Sequence, residues 1–427
     1  IDKILKPTRG LGEEIYCYKA ENELEEAEFI CRKIEEITDQ YSELNLGSFA
    51  VLYRTNFQSR PLEEKLIHYN IKYVIIGGLR FYDRKEIKDA LAYLRLIANP
   101  ADTVSLLRII NTPRRGIGKT TIDSLLNTSS EMGIPLWEII NEPTSVNALA
   151  GRSSKAVNKF AEIIQHWQDQ VQDLTALEIV EGILEDSGYI EDLKKQGTED
   201  ADNRLANLGE LCSAVAQFQD DNEDTHLESF LANASLASDL DNIQDGQEAV
   251  SLMTLHSAKG LEFPVVFLVG LEQGLLPHFR SIDDPLSLEE ERRLCYVGIT
   301  RAQEQLFLSY AINRRQVWGV RDATVPSQFL GELPRDLVNT NAMKKVIYRS
   351  KSQSKKKQNT IVKKSVSNQT KSWQVGDRVM HENFGVGLVT NILGEGKKMS
   401  LGIKFGKSKK IIDPKTELME KLNENGG

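Results

Sequence analysis

The stretch VSLMTLHSAKGLEFPVVFLVG, residues 250–270, decides the fold class of this chain. Two runs rich in Val, Leu and Phe flank a polar loop, so the pattern predicts a strand, a loop and a second buried strand. Sheets of the α/β class bind their ligands at the carboxyl ends of parallel strands. We therefore expect this loop to face a ligand, although an ordinary solvated loop is the alternative. The polar loop residues are His256, Ser257, Lys259 and Gly260.

Strand and helix patterns alternate on both sides of a long helical segment. From about residue 90 to 245 the apolar spacing indicates a succession of helices and no strand. Strands that alternate with helices are typical of a parallel sheet, so we expect an α/β domain interrupted by an all-α insertion. Outside the insertion the predicted elements are strands at 48–54, 71–76, 249–254, 265–269 and 305–308, and helices at 23–37 and 83–97.

Charge is distributed unevenly along the chain. The net charge of -9 argues at first against a nucleic-acid binder. However, residues 151–250 carry 22 acidic and six basic side chains, whereas residues 344–371 carry ten basic side chains and no acidic one. The net charge of the whole chain therefore does not exclude a nucleic-acid binder. The basic segment is interpreted as a solvated linker, with salt-sensitive attraction to DNA as the alternative.

Composition excludes several other classes of protein. The four cysteines lie far apart, which predicts neither a zinc site nor a disulfide framework and favours a reducing cytosol. The apolar runs are too short to cross a bilayer. The sequence begins Ile-Asp-Lys, without Met or a cleavable apolar stretch, so we expect a piece of a longer protein.

A second informative segment is EEERRLCYVGITRA, residues 289–302, a charged helix that leads into a turn at Arg301. One interpretation is a surface arginine in a helix salt bridge, which is usually worth less than ~1 kcal/mol. The other is an arginine finger, because a planar guanidinium stabilises the charge of a phosphoryl group in transit, by ~10³–10⁵ in rate. Taken alone, the residues leave both interpretations open.

Together these segments resemble motifs V and VI of the UvrD/PcrA/Rep superfamily 1 DNA helicases. The resemblance covers roughly residues 10–335. Residues 373–422 alternate Val, Phe, Leu and Ile with many glycines, a pattern that fits a small β-barrel, and they resemble the C-terminal module of PcrA-type members. Other segments that carry it are LYRTNFQSR (52–60), GGLRFYDRKEIKDALAYLRLIANP (77–100), NTPRRGIGKTTID (111–123) and PSQFL (326–330). It implies a second RecA-like domain at residues 1–88 and 246–338, a helical insertion at 89–245, a Lys-rich flexible linker at 339–372 and a Tudor- or SH3-like barrel at 373–422.

The resemblance also implies roles for individual residues. Arg301 matches the arginine that reaches the γ-phosphate of ATP, Glu262 matches the acid near the ribose, and Gly260 belongs to the same nucleotide site. Trp318, whose alignment needs one extra residue, would stack on a base, an interaction worth ~1–3 kcal/mol. Arg80 stands where relatives often have Lys, which keeps the positive charge. The single-stranded DNA contacts implied are Arg54, Asn56, Arg80, Thr254, His256, His278 and Trp318.

The run Arg115-Gly-Ile-Gly-Lys-Thr120 invites comparison with a P-loop, but the pattern would require Gly where this chain has Pro113. We therefore reject an ATP-phosphate cradle here. A Gly-Ile-Gly turn before a helix instead suits a DNA phosphate, with Arg114, Arg115 and Lys119 adding attraction. The resemblance implies a duplex-contacting element formed by Gly116, Ile117, Gly118 and Thr120.

No segment of the sequence matches a P-loop or the acidic pair that binds Mg²⁺. We therefore expect ATP and Mg²⁺ to be held mainly by a preceding domain, and this chain alone to be inactive. The resemblance implies an ATP-dependent 3′–5′ DNA helicase of repair and replication, cytoplasmic and nucleoid-associated, which binds single-stranded DNA, junctions and, through the barrel, RNA polymerase. The alternatives are a subunit of an AddA- or RecB-like helicase–nuclease and a non-enzymatic module that binds DNA and RNA polymerase.

Overall fold

The computed structural model describes residues 12–239, 248–315, 321–334 and 336–339, and in the C-terminal part residues 374, 377–381, 385–393, 400–405, 408–412 and 419–422. The chain divides into two compact units, Ile1–Ser352 and Gln353–Gly427. Trp318 and the predicted linker from residue 340 onward lie outside the described residues.

The first unit is built on a parallel sheet. Its described strands are β1 (Ile15–Ala20), β2 (Phe49–Tyr53), β3 (Tyr73–Ile76), β4 (Val250–Thr254), β5 (Phe263–Leu268), β6 (Ala302–Ala311), the hairpin strands β7 (Asn313–Arg315) and β8 (Arg321–Ala323), and β9 (Val338–Asn339). Seven of them form one sheet in the order β3-β4-β2-β5-β6-β1-β9, and every pairing in it is parallel. This confirms the predicted α/β class.

Strand β2 shows why these residues form a central strand. All five of its side chains are buried, as expected for a parallel strand covered by helices on both faces. Phe49, Val51 and Tyr53 belong to one apolar cluster, whereas Ala50 and Leu52 belong to the cluster on the opposite face. Their alternation follows the two-residue period of a strand.

Helices cover the sheet and fill the long segment between β3 and β4. The prediction that residues 90–245 contain helices and no strand holds over the described part of that segment, and their apolar faces share one core that also includes Phe81 and Ile87. No helix in the described part of the chain is long and apolar enough to span a membrane. The helices are α1 (Glu23–Gln40), α2 (Ser59–His68), α3 (Lys85–Ala98), α4 (Thr103–Ile109), α5 (Lys119–Met132), α6 (Leu136–Ile140), α7 (Pro143–Leu149), α8 (Ser154–Gln170), α9 (Ala176–Asp186), α10 (Tyr189–Gln196), α11 (Glu199–Asp221), α12 (Leu227–Asp239), α13 (Pro285–Ile299) and α14 (Gln328–Gly331).

A buried ion pair and a buried hydrogen bond join the helical segment to the rest of the first unit. Arg60 of α2 is almost completely buried, and its Nε donates to Glu210 of α11 at 2.5 Å. Arg84 donates to Asn207 of the same helix at 2.9 Å. Each charged group has a partner, which is the condition under which burial of charge is tolerated.

The C-terminal unit contains a five-stranded antiparallel sheet in the order β13-β12-β11-β10-β14. Val379, Val389, Leu401 and Ile403 are buried, which gives the unit its own small core. The alternating Val, Leu and Ile pattern predicted this β unit. Its strands are β10 (Arg378–His381), β11 (Gly385–Leu393), β12 (Ser400–Phe405), β13 (Ser408–Ile412) and β14 (Met419–Leu422).

Gly182 of α9 provides a test of the packing in the helical core. A Cβ atom at this position would lie 1.9 Å from the ring of Trp167. We expect Gly182→Ala to lower the free energy of unfolding by about 1–3 kcal/mol, because the indole cannot move without disturbing its neighbours. Gly331→Ala is the matched control, since nothing lies within 4 Å of a Cβ there. Urea denaturation measures both, and equal stability of the two variants would contradict this packing.

Candidate functional site

The parallel sheet separates the predicted site residues into two groups. Tyr53 is paired with Thr254, and Leu52 with Leu268, so the carboxyl ends of β2, β4 and β5 lie close to one level. Phe263 is paired with Ala302, so the amino ends of β5 and β6 also lie side by side. Since β5 has six residues, its two ends are about 20 Å apart.

Arg301 lies at the amino edge, immediately before β6. Its backbone carbonyl accepts from Phe263 N at 2.9 Å, which fixes the turn against the start of β5. The guanidinium donates from Nε to Val297 O at 3.0 Å, from Nη1 to Leu261 O at 2.9 Å and from Nη2 to Thr300 Oγ1 at 3.1 Å. Among the described residues no carboxylate lies within ion-pair distance of it. The salt-bridge interpretation of Arg301 is therefore not supported.

The same edge holds the other two predicted nucleotide residues. Gly260 and Glu262 are both exposed in the turn that precedes β5, and Gln303 Nε2 lies 3.5 Å from a Glu262 carboxylate oxygen. The expectation that this loop faces a ligand at the carboxyl edge does not hold for Gly260, which lies in the turn before β5. The reason is geometric: the connection from β4 has to return to the amino end of β5, so its last residues lie at the opposite edge.

Polar residues of three loops meet at the carboxyl edge. Thr254 Oγ1 lies 3.1 Å from Ser257 Oγ and accepts from Ser257 N at 3.3 Å, which shapes the loop that carries the exposed His256. A Cβ on Gly77, which has φ +72°, would lie 2.7 Å from Ser257 Oγ. Asn56 Oδ1 would lie 3.9 Å from a Cβ on the neighbouring Gly78. The glycines thus allow the loop after β3, which leads to Arg80, to approach the loops after β2 and β4.

Arg54 is paired with a carboxylate of the chain itself. Its Nη2 lies 2.7 Å from Glu291 Oε1, and its Nε lies 3.1 Å from each oxygen of the same carboxylate. Both side chains are largely buried, with 12% and 6% of their surface exposed. In this structure Arg54 is therefore neutralised by a carboxylate from α13, and the DNA contact that the resemblance implies for it stays a prediction.

His256 and His278 share an electrostatic environment at this edge. Partial loss of hydration lowers the pKa of both from the ordinary 6.5, and the positive charge of Arg54 lowers the pKa further. Glu291 and Glu199 act in the opposite direction at both histidines. Both imidazoles are consequently neutral at pH 7 and can donate one hydrogen bond without carrying a full charge.

Helix α13 connects the two edges. It starts after the His278 loop at the carboxyl edge and ends next to Arg301, and its 15 residues span about 22 Å. Gly298 in its last turn has no side chain, and a Cβ there would lie 2.5 Å from Leu255. The end of α13 therefore packs against the buried side chain of Leu255, the residue between Thr254 and His256.

The Gly-Ile-Gly element lies at the start of α5, far along the chain from both edges. Gly116 has φ +78° and open space around it, and Gly118 is the N-cap of α5 without a side-chain cap. Thr120 and Lys119 are exposed in the first turn. The arrangement offers the positive end of a helix to an anion.

Two residues of this element have structural roles instead. The Ile117 side chain is buried and its N–H donates to Asn111 Oδ1 at 3.3 Å, so both are engaged within the protein, and the implied DNA contact of Ile117 stays a prediction. Arg115 donates to Ile109 O and Thr112 O, each at 3.0 Å, and to Tyr93 Oη at 2.7 Å. It binds the end of α4 rather than adding a surface charge.

Sequence reasoning missed Glu291 and Asn111. Glu291 stands in a run of three glutamates, and nothing in the spacing distinguishes it from its exposed neighbour Glu290. The available signal was Arg54, a charged residue directly after a buried strand, which needs a nearby counter-charge.

The effect of the neighbouring charges on the pKa values of His256 and His278 can be measured. We expect the Cε1 protons of His256 and His278 to titrate below 6.5 in NMR spectra. Arg54→Gln should raise both pKa values, because it removes a positive charge that disfavours the imidazolium. Both groups are depressed in the folded state, so their contribution to stability is present above pH 6.5 and is lost as the pH falls. Unchanged titration in Arg54→Gln would show that the guanidinium lies elsewhere.

Two known domain families and several helicases match this chain. Residues 1–313 match the UvrD-like helicase C-terminal domain, and residues 375–411 match the PcrA/UvrD tudor domain. The chain is 42% identical to DNA helicase II of Haemophilus influenzae, 38% to the ATP-dependent DNA helicase PcrA of Bacillus subtilis and 40% to DNA helicase II of Escherichia coli. Each match covers 92% of this chain and 54% of the relative. The chain therefore spans about half the length of these relatives and corresponds to their C-terminal part. With a domain match over most of its length, this chain belongs to the UvrD/PcrA-type DNA helicase family.

Proposed function

We propose that this chain is the C-terminal part of an ATP-driven DNA helicase, with nucleotide at the amino edge of its sheet and single-stranded DNA at the carboxyl edge. The observation that carries the proposal is the orientation of Arg301. A guanidinium has five N–H groups. Three are used by Val297 O, Leu261 O and Thr300 Oγ1, which leaves one on each terminal nitrogen for an incoming acceptor.

The residues present at the amino edge fit a nucleoside triphosphate. Two further N–H groups on one planar cation suit the oxygens of a terminal phosphate, and the exposed carboxylate of Glu262 can accept from ribose hydroxyls. ATP with Mg²⁺ would supply the free energy for movement. The phosphate cradle would come from another part of the protein, because the sequence contains no P-loop pattern. This chain would bind and orient the nucleotide on one side.

At the carboxyl edge the hydrogen-bond donors suit a DNA strand that moves along the protein. Asn56 and His256 are exposed, Thr254 and His278 are partly exposed, and none of the four carries a positive charge at pH 7. Uncharged donors bind each phosphate weakly, which allows the strand to advance by one nucleotide at a time. Arg80 would add the electrostatic contribution that depends on salt. Trp318 is proposed as a stacking platform.

The proposal extends to the whole protein. The relatives named ATP-dependent DNA helicase support an enzyme that hydrolyses ATP. We further propose 3′–5′ movement, a role in repair and replication, action on single-stranded DNA and junctions, and a cytoplasmic, nucleoid-associated location. Residues 1–88 and 246–338 would form the motor domain and 89–245 the insertion that contacts duplex DNA. The tudor-like unit would bind RNA polymerase.

A non-enzymatic role is the second candidate for this chain taken by itself. The tudor-domain match favours it, because such a unit is suited to binding a protein partner. The helicase–nuclease alternative has no comparable support, since the C-terminal strands match a tudor domain.

Arg301 and the missing phosphate cradle can be tested together. We expect no steady ATP hydrolysis by this chain alone. In the protein that joins it to a P-loop domain, Arg301→Ala should lower the turnover number by ~10³–10⁵, because the negative charge on the phosphoryl group during transfer is no longer stabilised. DNA affinity, measured by fluorescence anisotropy, should change little because Arg301 lies at the other edge. Arg293→Ala is the matched control, because that arginine is exposed on α13 and pairs only with Glu290 among the described residues. Normal ATP turnover in Arg301→Ala would contradict the assignment of Arg301 as an arginine finger.

The duplex-contacting element has a separate test. Thr120→Glu places a negative charge in the first turn of α5, where it favours the helix by about 0.3–1 kcal/mol but repels a phosphate. We expect stability to be retained while duplex affinity falls. Asn127→Glu, an exposed position in the same helix, makes the same charge change away from the N-terminus. Equal duplex affinity of the two variants in anisotropy titrations would contradict the proposed contact.

A further inference from the structure

Glu291 accepts hydrogen bonds from groups that belong to the carboxyl edge. Both of its oxygens accept from Arg54, with Nη2 to Oε1 at 2.7 Å and Nε to each oxygen at 3.1 Å. Oε2 also accepts from the backbone N–H of His278 at 3.0 Å. One carboxylate thus holds the residue that follows β2 and the loop that follows β5.

The position of Glu291 on α13 gives these contacts a consequence at the other edge. Arg301 lies two residues after the end of this helix. Its guanidinium donates hydrogen bonds to Val297 O in the last turn and to Thr300 Oγ1 at the C-cap. Gly298 in that turn lies against Leu255 of the loop that carries His256. Displacement of the carboxyl-edge loops therefore acts on α13 at two places, through Glu291 and through Gly298.

We propose that Glu291 is a positioning residue that links DNA occupancy at the carboxyl edge to the placement of Arg301 at the amino edge. The inference rests on the proposed function and adds a residue to it. Glu291 itself does not touch DNA, because only 6% of its side chain is exposed and both oxygens already accept from Arg54. A strand that contacts His256 or His278 moves loops that Glu291 and Gly298 connect to the helix.

The neighbouring Glu290 provides a matched control. It lies one residue earlier on α13, pairs with Arg293 at 3.0 Å, and has 72% of its side chain exposed. Glu290→Gln and Glu291→Gln remove the same charge from the same helix with the same change of shape. A difference between them reports the contacts of Glu291 rather than the charge of the helix.

The first measurement uses this chain alone. The charged groups that influence His278 are Arg54 after β2, Glu291 of α13 and Glu199 of α11. We expect Glu291→Gln to lower the pKa of His278 in NMR titration, since Arg54 then acts without its counter-charge. Glu290→Gln should leave it in place, and Arg54→Gln combined with Glu291→Gln should bring it back towards the starting value. A His278 pKa that does not respond to Glu291→Gln overturns the proposed contact.

The second measurement uses the protein that joins this chain to a P-loop domain. The readout is the ratio of ATP hydrolysis with saturating oligothymidylate to hydrolysis without DNA. We expect Glu291→Gln to lower this ratio by about tenfold, within the usual range for coupling between two sites. Glu290→Gln should keep the ratio. If Glu291→Gln does not fold, Arg54→Gln removes the same contact from the other side and should give the same loss.

The outcomes separate this inference from the proposed function. If oligothymidylate stimulates ATP hydrolysis by the Glu291→Gln variant as strongly as by the unsubstituted protein, the proposed helicase function is retained and the positioning role of Glu291 is overturned. An unsubstituted protein whose ATP hydrolysis does not respond to DNA overturns both. A selective loss of the ratio in Glu291→Gln, together with a lowered His278 pKa, supports the coupling.

Discussion

Parallel pairing of every strand in the main sheet is the constraint on which the arrangement of this molecule depends. Each connection between parallel strands has to cross back over the sheet. Residues that follow strands therefore collect at one edge, and residues that precede strands collect at the other. Thr254 and His256 lie at the first edge, Glu262 and Arg301 at the second. The segment from residue 255 to 262 and helix α13 both cross between the edges, so each physically joins the proposed DNA side to the proposed nucleotide side.

Buried ion pairs hold helices and loops in place around this sheet. Arg314 after β6 donates to Glu26 of α1 and to Glu272 after β5, each at 2.7 Å, and all three are buried. Arg60 and Glu210 form a similar pair between the sheet domain and α11. Removal of one partner from such a pair typically costs about 3–5 kcal/mol, because the other charge is left buried. The loss of hydration on burial offsets much of the attraction within each pair, so the pairs add less to stability than their short distances suggest.

The electrostatics of the carboxyl edge follow from the same principle. Arg54 carries a fixed positive charge at this edge, but Glu291 neutralises it, and the two histidines beside it have lowered pKa values. The edge therefore presents donors of modest strength rather than a cluster of fixed positive charges. For a protein proposed to move along DNA, weak contacts are useful because tight phosphate binding would oppose each step. The chain's acidic balance is consistent with this, because most of the excess negative charge lies in the helical segment.

The sequence by itself determined the α/β class, five strands of the main sheet and their order along the chain, the helical segment between them, and the family. Runs such as residues 49–53 and 265–268 are apolar throughout and can only be buried, while the motifs around His256 and Arg301 are long enough to identify relatives. Strand β1, in which charged and polar residues interrupt the apolar run, and the two-residue β9 were not predicted. Only the tertiary structure decided which edge each polar residue occupies and that Arg54 pairs with Glu291, 237 residues away. Ion pairs of this kind depend on distance in space, and the spacing of residues along a chain does not encode which of several equivalent glutamates will face a given arginine.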